Sequence, residues 1–177
     1  MMHSQARRVS CARSAIDNAV GANPHRHLVE DLVSTRAPAT DPCLIETVAL
    51  LEAAASAMGA TDLDTTGIGA ARAAGHELRA CHDDPATATR WARVFHQTLL
   101  DSCPNRHLLD LIELESRCTR PLPLPRYIDA DVLTRIADDH EAILDLIIAR
   151  APHREIERAL RDHASRSTLC CLVPVEL

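Results

Sequence analysis

Apolar residues recur every three to four positions along most of the chain, the period of a helix face turned toward a core. "DPCLIETVALLEAAASAMGA" (41–60) opens with Asp41 as N-cap and Pro42 at the first helical position, and closes near Gly59. Leu44, Val48, Leu51 and Ala55 fall on one face of that helix. "TTGIGAARAAGHELRACH" (65–82) predicts a second helix whose start is weakened by Gly67 and Gly69. A third begins with Asp84 as cap and Pro85 in its first turn, and runs to about Ser102. After Pro104, "NRHLLDLIELESRC" predicts a fourth, ended by the three prolines of "RPLPLP". The fifth, "DADVLTRIADDHEAILDLIIAR" (129–150), turns Ile136, His140, Ile143, Leu144 and Ile147 inward. The sixth, "PHREIERALRDHAS" (152–165), buries Ile156, Ala159, Leu160 and His163.

No strand is needed, so the expected class is all-α. Short, proline-marked connections predict an antiparallel bundle of six to seven helices with a cavity in its core. Residues 1–40 read as an N-terminal segment of short helices or linker: "SQARRVSCARSAIDNAV" and "HRHLVEDLVSTR", broken at "GANP" and closed by "RAPATDP". Residues 41–168 form the expected helical domain, and 169–177 an apolar tail placed to cover a bundle end or reach a partner chain.

Composition agrees with this reading. Hydrophobic residues make up 46% of the 177 positions but aromatics only 2%, so the core must be Leu, Ile, Val and Ala, which favours helices. The net charge of −6 gives no global reason to bind nucleic acid, and the small surplus of arginine before residue 40 does not amount to a DNA-binding arm. Direct DNA binding by this chain is not expected. Seven cysteines, an odd number with no CxxC pair, read as reduced thiols. No segment approaches ~18 consecutive apolar residues, so no membrane span is expected. A cytoplasmic location follows.

The ten histidines change the picture. His3, His25, His27, His107 and His153 fall in loops or on polar faces, and His76 and His82 are ambiguous. His96, His140 and His163 each lie on the apolar stripe of a different predicted helix. A buried imidazole needs a partner, and one shared divalent metal satisfies three at once. Neutral imidazole suits Zn²⁺, Ni²⁺, Mn²⁺ or Fe²⁺, and bundles build such sites from side chains of facing helices. Three packed histidines without metal are the plainer alternative.

These residues also carry a resemblance. "ARVFH" at 92–96, "SCPN" at 102–105, "DDHEAILDLII" at 138–148 and "ERALRDH" at 157–163 resemble the FCD domain over about residues 42–166. That domain is the all-helical effector-binding part of FadR-type regulators in the GntR superfamily. The resemblance implies a divalent metal held by His96, His140 and His163, and a small carboxylate effector bound beside it. It matches Asn105 to the family's asparagine at the start of the next helix, in a pocket or a capping role.

Two departures stand out. Ala92 occupies the place where the family carries a metal-binding aspartate, four residues before His96, so one ligand position is vacated. Val48 stands where the first helix often carries an arginine, four residues before Glu52. Residues 1–40 show neither the wing pattern nor the recognition-helix run of a winged helix-turn-helix, so a stand-alone, homodimeric FCD-like domain is expected. Two functions follow: a metal-assisted sensor of a small organic acid, or a metal-dependent lyase, isomerase, cyclase or hydrolase on the same three histidines. For the second, Asp138, Asp139 and Glu141 are the acid/base groups nearest His140, although residues of that type normally form a solvated face.

Overall fold

The computed structural model describes residues 42–81, 83–118 and 128–167. Six helices are found there: α1 Pro42–Gly59, α2 Thr65–Arg79, α3 Pro85–Leu100, α4 Arg106–Cys118, α5 Ala130–Ile148 and α6 His153–Arg166. The described residues contain no strand. Asp41, the segment before it, the "RPLPLP" run and the apolar tail lie outside the described residues.

Short acidic side chains start the helices by accepting orphan backbone N–H groups. Asp64 accepts from Gly67 N at 2.7 Å, Asp84 from Thr87 N at 3.1 Å and Asp129 from Asp131 N at 2.8 Å. The Asp64 cap places Gly67 and Gly69 inside α2, so a good cap outweighs two poor helix formers. At the far end of α5, Arg150 takes a left-handed conformation with φ 51°, while Arg150 N bonds Ile147 O and Ala151 N bonds Leu146 O. That is a Schellman stop made without glycine.

α2 packs chiefly on α3 and α5, and α1 on α6, α4 and α3. Phe95 and Leu99 of α3 meet Ile143, Leu144 and Ile147 of α5, with Ile156 and Leu160 of α6 and small alanines of α1 and α2 completing the cluster. Leu44, Val48 and Ala55 of α1 are buried as the period requires, while Leu51 is half-buried. All five inner positions expected on α5 are buried; on α6, Ile156, Leu160 and His163 are buried and Ala159 is half-buried. α1 is long and apolar enough by composition to cross a membrane, yet its buried residues are part of the bundle packing, as in a core helix. At its end a Cβ on Gly59 would sit 2.6 Å from the Ser102 carbonyl carbon and 2.7 Å from Cys103 N. Only glycine lets α1 approach the α3–α4 turn so closely.

Candidate metal centre

Helices α3, α5 and α6 each contribute one histidine to a single point. His96, His140 and His163 each offer a ring nitrogen, and these three atoms lie within 4.8 Å of one another. His140 and His163 are fully buried; His96 as a whole residue is half-buried, with its ligand nitrogen enclosed in the group. Phe95 fixes the arrangement from one side: its ring stacks on that of His140 with centroids 3.7 Å apart and planes 1° from parallel.

His140 Nε2 and His163 Nε2 are 3.2 Å apart. Two nitrogens at ~2.05 Å from a tetrahedral ion are separated by about 3.3 Å, so this pair already has the spacing of two ligands on one ion. His163 Nδ1 lies 3.2 Å from Asp139 Oδ2, and Arg166 Nη2 donates to both Asp139 oxygens at 3.1 Å. A carboxylate accepts only, so His163 carries its proton on Nδ1 and turns the Nε2 lone pair toward His140. His140 Nδ1 is buried and has no hydrogen-bond partner.

These residues fit a divalent metal. Three imidazoles converge without a carboxylate or thiolate, a donor set suited to borderline ions. An ion at the centre also resolves the facing Nε2 atoms, which otherwise need a proton between them. The Asp139–His163 contact is the orienting partner that metal-bound histidines normally have. Asp139→Asn is therefore expected to weaken metal binding about 10–100-fold while the chain stays folded, measured by competition with a chromogenic chelator. An unchanged affinity would show that Asp139 does not orient the ligand.

Electrostatics favour neutral rings. Burial pushes His96 down to about 3, with His163 adding to the effect. Burial also holds His140 well below its usual value, helped by His96 and His163. His163 is lowered by burial too, although the Asp139 hydrogen bond and charge pull it back. An unfolded histidine titrates near 6.5, so their contribution to stability is complete above that pH and is lost as the pH falls from there toward 3. Glu52 runs the other way. Burial pushes it up to about 7 against the pull of Arg93, so its contribution is present at low pH and lost as the pH rises. With three imidazoles against one carboxyl, metal-free protein should lose stability as the pH falls below about 6, His96 alone contributing on the order of 1 kcal/mol per pH unit. Urea titrations between pH 8 and pH 4 check this, and a flat profile would contradict it.

The other sequence-derived residues are placed as follows. Asn105 is exposed and caps α4, its Oδ1 accepting from Leu108 N at 3.1 Å. Ala92, one turn before His96, is buried in an apolar cluster with Leu78, Ala88, Ile136 and Ala137. Val48 is buried on α1. His107 and His153 are not part of the group of three. The acidic run beside His140 is fully engaged: Asp138 with Arg79, Glu141 with Arg72, and Asp139 with His163 and Arg166. Asp139 was not distinguishable from its solvated neighbours in sequence, because its partners lie 24 and 27 residues away.

Compared with known families, residues 43–166 match the FCD domain model. No curated protein and no solved structure matches the chain.

Proposed function

The chain belongs to the FCD domain family, and from that premise we propose that it is a metal-assisted binding domain for a small organic acid. Domains of this family are the effector-binding parts of GntR-type regulators, which sets the general role. The convergence of His96, His140 and His163 on one buried point carries the finer reading. These three histidines would hold the metal, with zinc, nickel, manganese or iron all compatible with the donors. When bound, the ion supplies a Lewis-acidic centre with positions left over for a carboxylate oxygen.

The chain's own residues do the rest. Asp139, clamped by Arg166, orients His163 and stabilises the tautomer that presents Nε2. Phe95 holds the plane of His140. Ala92 adds an apolar methyl where a carboxylate would add negative charge, so three neutral imidazoles leave the ion's charge largely uncompensated. That favours an anionic ligand. Cys81, Cys103 and Cys118 are free thiols, in keeping with the cytoplasmic location we assign. We also assign a homodimer, without direct DNA contacts from the described helices.

Isothermal titration of zinc-loaded protein with a panel of di- and tricarboxylates tests the proposal. One acid should bind, lose affinity when the metal is stripped, and be recovered unchanged after incubation. Conversion of that acid would establish the enzyme reading on the same residues, and a panel without any metal-dependent binding would overturn the proposal.

A further inference from the structure

Which ions a centre holds depends on what surrounds its ligands as well as on the ligands themselves. Residues four positions apart share a helix face, so each imidazole has neighbours one turn before and after it on its own helix. For His96 these are Ala92 and Leu100, for His140 Ile136 and Leu144, and for His163 Ala159 and the C-cap residue Ser167. Ala159 is half-buried and the others are buried. None is charged, and Ser167 alone has a polar side chain, a neutral hydroxyl. Ala92 and Ile136 pack in one apolar cluster, and Leu144 packs with Phe95 in another. His140 therefore stands on α5 between two apolar clusters, with the Phe95 ring covering one of its faces.

The carboxylates of the region are directed elsewhere. Among the described residues no carboxylate joins the three ring nitrogens. Asp138 pairs with Arg79 and Glu141 with Arg72. Asp139 gives its oxygens to Arg166 and to His163 Nδ1, the nitrogen of that ring that does not face His140. Glu52, the buried carboxyl of α1, has Arg93 as its charged neighbour. Arg93 and Arg166, three positions from His96 and His163, have no lone pair to offer an ion.

Ions respond unequally to such a surround. Zn²⁺ has no geometric demand of its own and is satisfied by three imidazoles and one further ligand. Mg²⁺ and Mn²⁺ favour six oxygen ligands, and Mn²⁺ stands lowest in affinity among the first-row divalent ions. Apolar walls supply no oxygens and give waters few polar partners with which to complete a shell. We propose that this apolar, carboxylate-free surround makes the centre select zinc in four-coordination against manganese and magnesium. Ala92 is the position where the selectivity is most readily undone, because an acidic side chain there shares the face of His96. The inference narrows the three-histidine metal reading and rests on it.

Affinities of the full chain for zinc and manganese are measured by chelator competition. Zinc should bind at least about 1,000-fold more tightly than manganese, and magnesium should not compete with it. Cobalt(II), used as a spectroscopic substitute for zinc, should show the intense visible bands of a four-coordinate ion. Ala92→Asp, with folding verified by circular dichroism, should strengthen manganese binding and narrow the zinc-to-manganese ratio at least about 10-fold. A wild-type ratio below about 1,000, weak six-coordinate cobalt bands, or a folded Ala92→Asp with the wild-type ratio overturns the selectivity and leaves the metal reading standing. Should Ala92→Asp not fold, the wild-type ratio and the cobalt spectrum decide. If wild type takes up no zinc, both readings fall together.

Discussion

Zinc-loaded protein passed through a desalting column should retain about one ion per chain, and His140→Ala should retain almost none. Losing an orienting partner one shell further out costs about 10–100-fold in affinity, so loss of a ligand itself should exceed about 100-fold. The effect has a structural basis in the spacing already present. His140 is half of the 3.2 Å Nε2–Nε2 pair, and among the described residues no other histidine belongs to the group once it is removed. The substitution also leaves a hole beside Phe95, for which a stability loss of about 2–4 kcal/mol is expected. Circular dichroism of the variant, with metal content read only on folded material, separates the two effects. Equal and negligible metal in wild type and variant would reduce the three histidines to packing residues.

Phe95→Ala should produce the largest loss of stability of any single truncation in the bundle. Phe95 is fully buried, is the only phenylalanine in the chain, and packs with residues of five helices in the central cluster. Phenylalanine-to-alanine changes at such positions cost about 3–5 kcal/mol through lost transfer energy and a residual cavity. Trp91, half-buried against the same cluster, is a neighbour of comparable size, while the alanines of α1 and α2 are too small to fill the space. Phe95→Leu should cost less, on the order of 1–2 kcal/mol. Both variants remove the face on which the His140 ring stacks, so metal affinity should fall in step with that support. Urea denaturation of metal-free protein measures the first effect and chelator competition the second. A loss below about 1 kcal/mol for Phe95→Ala would mean that the cluster tolerates a cavity there.

Most of the fold was legible before any coordinates, because helix boundaries depend on local chemistry. Asp84 followed by Pro85 starts α3 where capping and a fixed φ say it should, and the apolar period of α5 puts Ile136, His140, Ile143, Leu144 and Ile147 inside. Where the reading was incomplete, the missing signal was a local one of unusual form. Asp64 was not recognised as the cap of α2, and α5 stops at an arginine rather than at a glycine. Asn105, for which sequence left a pocket and a capping role open, makes the capping bond.

The site divides differently. Sequence determined that three histidines lie on the inner stripes of three helices, because burial of a helical position follows from periodicity alone. Periodicity gives a direction around each helix but no distance between helices. Only the packing of α3, α5 and α6 decided that the three ring nitrogens meet within 4.8 Å. The same packing selected Asp139 from three acidic neighbours by bringing His163 and Arg166 to it, and left His140 Nδ1 buried without a hydrogen-bond partner. Those relations are fixed by contacts between residues remote in the chain, and side-chain volume, not local propensity, sets them.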